Sequence, residues 1–372
     1  MKKIFFAAFF ATALLVSCDN SNENDVNDDV VVDTTSAHTL VFNEGNYGSG
    51  NSSLSAISFE GALTNDLFQT TNGIPIGDVG QSITYINGKY YLVLNSGKKI
   101  QVIGADDYKL VATISLPEDE RASQNPMYMA AISDTEAIVT RADFYTDYKG
   151  SLTVINTTTD EIVKTIDVDQ QCITTQVVGD KLFVNSPAVY DWSNWPETTI
   201  AIAGKVLIFD TNDIEATPTT IEAGMVDKCR FAVDKNGKVW GIDKDNDVLY
   251  RINPTTETLE ATIALDCNVD YDGRLVINSD GDKLYFNALN SSYIPEIYSM
   301  DIDSTTATMA FTLSDVQTVY NMEMSPEDEL YVCDALDYSQ SGYVFVYSLD
   351  GSIIEGYSTG VSPNDILFTE NN

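Results

Sequence analysis

The chain has 372 residues, 44% of them hydrophobic, and its 56 acidic and 20 basic side chains leave a formal net charge of −36. That balance provides no basic footprint for nucleic acid; it suits an extracytoplasmic surface and says nothing about fold. A chain of this length ordinarily divides into two or three domains, unless internal repeats account for it.

Residues 1–17 read as a lipoprotein signal peptide. Lys2 and Lys3 precede the apolar run "IFFAAFFATALLV", which has the length of a signal core and is too short to span a bilayer comfortably. The run ends in Leu15-Val16-Ser17-Cys18, which resembles the lipobox of bacterial lipoproteins and implies that Cys18 is lipidated and becomes the mature N-terminus. The alternative is an ordinary secretory signal with a chance cysteine. Residues 18–37 continue as an acidic, Asn-rich segment with almost nothing to bury, expected to act as a flexible tether. An acidic run directly after the cysteine also resembles the signal that sends Bacteroidetes lipoproteins to the outer face of the outer membrane; the other reading is a solvated linker. The expected location is therefore the outer membrane, held by lipid alone and facing the extracellular side.

Residues 38–372 read as one repeating all-β domain. The unit is a short apolar strand, a Gly or Asp turn, an aromatic-rich strand, a variable loop, an alternating strand and a Thr- or Asp-rich turn. Its clearest copies are residues 86–116 and 235–265, and no convincing helical pattern follows residue 38. Seven units over residues 38–369 average about 47 residues each, in the range of a β-propeller blade. Innermost strands are predicted at 81–86, 126–132, 172–178, 228–234, 273–278, 320–325 and 364–368. The first unit opens on its second strand and has no inner strand of its own. The run Asn364–Phe368 near the C-terminus supplies it, sealing a seven-bladed ring and covering two sheet edges. Two separate β-sandwiches would leave that complementarity unexplained.

Meander topology then sorts the loops. The bottom turns are short, at 87–88, 179–180, 236–237 and 281–282, whereas the top loops are long, unequal and aromatic. Tyr47, Phe144, Tyr145, Tyr148, Tyr190, Trp192, Trp195, Tyr293 and Tyr338 are expected on that rim, where binding sites are most often built. Some of these will pack on their own blades. Gln81, Asn125, Gln171, Arg230, Arg274, Asn321 and Asn364 are expected around the channel mouth, either meeting a ligand or simply solvated.

The residues do not point to catalysis. His38 is the only histidine, which excludes His-dependent triads and His-ligated zinc. The run "DKDND" at 243–247 lacks the glycine and distal glutamate of a calcium loop and reads as a solvated turn. Cys172, Cys229, Cys267 and Cys333 have no CxxC spacing, so disulfides are permitted but not specified. No metal or cofactor is expected.

The stretch "VFNEGNYGSGNSSLSAIS" at 41–58 resembles the opening blade of Bacteroidetes surface propeller lipoproteins, a group that includes the cobalamin-binding partner of the outer-membrane cobalamin transporter. Similar blades occur in relatives described only as surface-layer or quinoprotein-like. The resemblance implies a propeller that captures cobalamin or a related corrinoid and passes it to a TonB-dependent outer-membrane transporter. Cobalamin would be a transported ligand, bound base-on, with Asn46, Gln81, Asn125 and Arg230 meeting its amides or phosphate. Two other classes stay open: a glycan- or protein-binding surface module, and a calcium-dependent propeller lyase or lactonase.

Overall fold

The computed structural model describes residues 37–369 apart from 118, 192, 194–198, 226–228 and 271–272. The chain divides into two units, Met1–Asp33 and Thr34–Asn372, and the described residues all belong to the second. The expected signal peptide, Cys18 and the expected tether up to residue 36 lie outside the described residues.

Seven antiparallel sheets of four or five strands form a seven-bladed β-propeller. Blade 1 is built from Ala37–Asn43, Ser53–Ser58 and Leu63–Thr64, with Pro363–Phe368 as its inner strand. Blade 2 runs Gly80–Ile86, Lys89–Leu94, Lys99–Gly104 and Leu110–Ser115, and blade 3 runs Asn125–Ala131, Glu136–Ala142, Gly150–Asn156 and Glu161–Val168. Blade 4 takes Thr175–Val178, Lys181–Ser186, Lys205–Asp210 and Thr219–Ile221; blade 5 takes Ala232–Val233, Val239–Asp243, Val248–Asn253 and Thr258–Ala264. In blade 6 the inner strand is split into Asn268–Val269 and Leu275–Ile277, both paired with Lys283–Leu289, and Pro295–Asp301 and Thr308–Thr312 follow. Blade 7 comprises Val319–Met324, Leu330–Asp334, Ser341–Tyr347 and Ile353–Val361.

The second strands read as continuous apolar runs because each is covered on both sheet faces. In blade 3, Val139 packs toward blade 2 with Tyr91 and Val93, while its neighbour Ile138 packs toward blade 4 with Leu182 and Val184. Val239 and Trp240 of blade 5 divide in the same way between blades 4 and 6. Successive strand residues point to opposite faces, so a strand between two packed layers needs apolar residues at every position. Outer strands lack that second layer, and Val111, Val163, Leu259 and Met309 are exposed there. The inner strands are stitched sideways as well. Ser82 and Thr84 donate to the carbonyls of Met127 and Met129 at 2.8 and 3.0 Å; from the second strand of blade 3, Thr140 donates to Ile173 O, ahead of blade 4, at 2.6 Å.

The closing strand pairs in antiparallel register, Thr39 opposite Phe368, Val41 opposite Ile366 and Phe42 opposite Asp365. Its Asn364 amide donates to the carbonyls of Gly80 and Gln81 at 3.0 and 2.9 Å, and Asp365 accepts the Ile83 N–H at 2.8 Å. One strand therefore fastens blade 1 to blade 2.

The expectation of no helix after residue 38 is corrected by Leu67–Asn72, between blades 1 and 2. Leu67 and Phe68 anchor it in the core, and Gly73, at φ 68°, ends it with its N–H on Gln69 O. Asn72 then bonds Tyr108 O and Leu110 N, docking the helix on blade 2. Six residues are under two turns, too few for a 3.6-residue period to be read from the sequence. The bottom turns are as expected; Asn87 and Gly88, at φ 51° and 78°, have the left-handed pair that a two-residue hairpin requires.

Candidate functional site: the loop face of the ring

A buried Asn or Asp stands at the top of every second strand: Asn43, Asn95, Asp143, Asn185, Asp243, Asn287 and Asp334. In three of the blades its carboxylate gathers N–H groups of the loop that follows and, for Asp334, of the segment that enters the inner strand. Asp143 accepts from Tyr145 and Thr146 at 2.8 and 2.9 Å, Asp243 from Asp245 at 2.8 Å, and Asp334 from Leu336 at 2.9 Å and Thr318 at 2.8 Å. Burial would raise the Asp143 carboxyl, but the Tyr145 and Thr146 N–H groups outweigh it and hold it below the usual range. "DKDND" is accordingly a turn built on Asp243, whose second oxygen accepts from Asn246 and Tyr250. Among the described residues no group of three or more His, Cys, Asp or Glu side chains is placed to hold a metal ion.

The Asp143 turn displays Phe144 and Tyr145 between two clefts. The larger, about 630 Å³, lies over blades 1–3 and is lined by Glu44, Tyr47, Gln81, Asn95, Lys98, Ser123 and Asn125, with Phe144 and Tyr145 as one wall. The smaller, about 350 Å³, lies over blades 3–5 and shares that wall; Tyr148, Gln171, Tyr190, Met225, Lys244 and Asp245 complete it. Phe144 is rooted against Met127, Tyr128 and Ile173, whereas Tyr145 is 87% exposed. Lys244 lies 5.4 Å from the centre of the Tyr190 ring and pairs with Asp245.

Seven of the thirteen expected ligand-binding residues line the two clefts: Tyr47, Gln81, Asn125, Phe144, Tyr145, Tyr148 and Tyr190; Arg230 lines neither. Tyr293 is exposed on the blade 6 loop, away from both clefts. Tyr338 stacks edge-on against Tyr320, and Asn46 donates to Tyr338 O at 2.6 Å, a strut between the loops of blades 1 and 7. Trp192 and Trp195 lie outside the described residues; a small hairpin, Val189–Asp191 with Thr199–Ile202, flanks them. Tyr148, Tyr293 and Tyr338 all hold left-handed backbone angles of φ 56–62°, which bulky residues rarely adopt unless their surroundings impose it.

Most of the expected ring at the channel mouth turns inward. Gln171 donates to Asp143 O at 2.6 Å and Arg274 to Tyr320 O at 2.5 Å. Arg230 reaches across the channel to Asp365 at 2.5 Å, lies 3.4 Å from Glu323 and sits over the Tyr128 ring. Glu323 and Asp365 were not singled out from sequence, because their partner is remote in the chain. Cys172, Cys229, Cys267 and Cys333 are free thiols, and burial pushes those of Cys229 and Cys267 up to about 12.

Seven blades of four or five strands, a strand from the C-terminal end closing the first, and a face of unequal aromatic loops define a seven-bladed β-propeller with one elaborated face. Residues 38–349 match the family described as a domain of unknown function, DUF5074, and the chain belongs to that family. No curated protein matches it. Among solved structures it is similar to a quinoprotein alcohol dehydrogenase-like protein of Bacteroides thetaiotaomicron, with 15% identity, a TM-score of 0.64, and 91% of this chain and 79% of that one covered. It is also similar to the periplasmic gluconolactonase of Pseudomonas aeruginosa (13%, 0.66, 91% and 100%) and to hydrazine synthase of Kuenenia stuttgartiensis (13%, 0.57, 77% and 88%). At such identities the likeness is one of fold.

Proposed function

We propose that this propeller is a binding protein rather than a catalyst, and that its loop face captures cobalamin or a related corrinoid at the cell surface for a TonB-dependent outer-membrane transporter. The observation that carries the reading is the pair of adjoining clefts, 630 and 350 Å³, sharing the Phe144–Tyr145 wall. A flat, partly apolar macrocycle fringed by amides suits two clefts of mixed polar and apolar lining with an aromatic ridge between them. His38, the only histidine, is on blade 1 beside Phe59 and Phe368 and not in either cleft, so the ligand would keep its own axial base on cobalt. The blade 1 resemblance, the lipobox at Cys18 and the acidic tether supply the transporter and membrane parts of the proposal.

Calorimetry of the purified protein with cyanocobalamin tests it. Heat at micromolar concentration is expected from wild type, with Tyr145→Ala weaker by roughly 2–4 kcal/mol if Tyr145 is an anchor. Silence from wild type would remove cobalamin. The exposed tyrosine faces of Tyr47 and Tyr145 would then favour a glycan-binding module, since such rings also stack on sugars.

A further inference from the structure

We propose that Gln81, at the floor of the larger cleft, selects a carboxamide edge of the ligand; the inference rests on the cobalamin reading above. Gln81 is the second residue of the inner strand of blade 2 and is 2% exposed. Its Oε1 accepts from Asn95 Nδ2 at 3.3 Å, and its Nε2 has no acceptor. Buried donors without a partner are rare in folded proteins. Turning the amide over does not relieve it. Asn95 Nδ2 faces acceptors throughout, Gln81 Oε1, Pro126 O at 3.4 Å and Met127 Sδ at 3.1 Å, and a reversed Gln81 would set donor against donor. The missing group is an acceptor on the ligand.

The charges of the cleft decide which acceptor. Lys98, in the lining, donates to Ala122 O; the buried Arg141, outside it, donates through Nη2 to Arg121 O at 2.9 Å and Gln124 O at 3.3 Å, while its Nε and Nη1 have no acceptor. They hold the segment that carries Ser123 and Asn125. Also lining the cleft is the Glu44 carboxylate, which accepts the Tyr320 hydroxyl at 2.6 Å. A ligand carboxylate would meet Glu44 as a like charge. A carboxamide answers both groups, its carbonyl oxygen accepting from Gln81 Nε2 and its NH₂ donating to Glu44.

Two Gln81 variants and two ligands test this by calorimetry. Gln81→Glu keeps the oxygen that Asn95 uses and removes the donor, and Gln81→Met removes the polar group altogether. Both are expected to bind cyanocobalamin about tenfold or more weakly, with Tm close to wild type. Wild type should also bind cyanocobalamin about tenfold or more tightly than the same corrinoid with its peripheral carboxamides partly hydrolysed to carboxylates, and Glu44→Gln should narrow that gap. The wild-type comparison needs no variant to fold. Folded Gln81 variants that bind as wild type does, or a wild type indifferent to the hydrolysis, would overturn the assignment while leaving the cobalamin reading intact. Failure of wild type to bind cyanocobalamin at all is a different result, and brings down the reading itself.

Discussion

Glu323 lies on the inner strand of blade 7 with Arg230 3.4 Å away. Burial pushes its carboxyl up to about 7, against the pull of Arg230 and with the push of Asp365. An unfolded glutamate titrates near about 4.3, so between these values the folded protein holds a proton that the unfolded chain has lost. Its contribution to stability is complete below about pH 4 and disappears as pH rises through 7. Urea unfolding should therefore give a Glu323→Gln variant that loses less stability than wild type between pH 5 and pH 8, by an amount on the order of 2 kcal/mol. Parallel pH profiles for the two proteins would dismiss the effect. None of this was legible beforehand: Arg230 and Asp365 meet across 135 positions of chain, and nothing local marks a partner so far away. That Tyr47, Phe144, Tyr145, Tyr148 and Tyr190 share the loop face was legible because loop length and aromatic content are local properties, and closure of the ring brings separate loops onto one face.

Among the elements, Pro363–Phe368 has the most to lose. Removing residues 363–372 strips blade 1 of its inner strand, the two Asn364 bonds to blade 2 and the Arg230–Asp365 bridge. The truncated protein is expected to lose its cooperative thermal transition or to melt far below wild type, and an unchanged Tm would show that the strand is not what closes the ring. Asn364→Ala is milder, about 1–3 kcal/mol, because two buried carbonyls lose a donor. Strands were easy to read for a physical reason. A second strand such as Val239–Asp243 sits between two packed blades and must be apolar on both faces, so it stands out between polar turns. Helix Leu67–Asn72 and the hairpin at Val189–Asp191 were missed because six residues make under two helical turns and three residues barely one alternation, too few repeats for a period to show.

At the scale of the molecule, seven similar units close only when the last strand joins the first blade, and this number was countable from sequence because inner strands recur at a regular spacing, several of them followed by a short Gly or Asp turn. Attachment is a separate question, tested by fractionation. If Cys18 carries lipid, wild type should sediment with membranes and Cys18→Ala should appear in the soluble fraction, since each buried methylene of an acyl chain contributes about 0.8 kcal/mol. A variant still membrane-bound without any transporter present would exclude a lipid anchor at that residue. The arrangement of blade 1 has a mechanical side. Ala37–Asn43 is an interior strand, hydrogen-bonded to Ser53–Ser58 on one edge and to Pro363–Phe368 on the other, and Thr369 N–H closes on His38 O at 2.9 Å. A load entering through the residues before it, directed along the strand, works both ladders in shear, so their bonds must fail together. Had the chain begun on an edge strand, the same drag could have peeled it away one bond at a time.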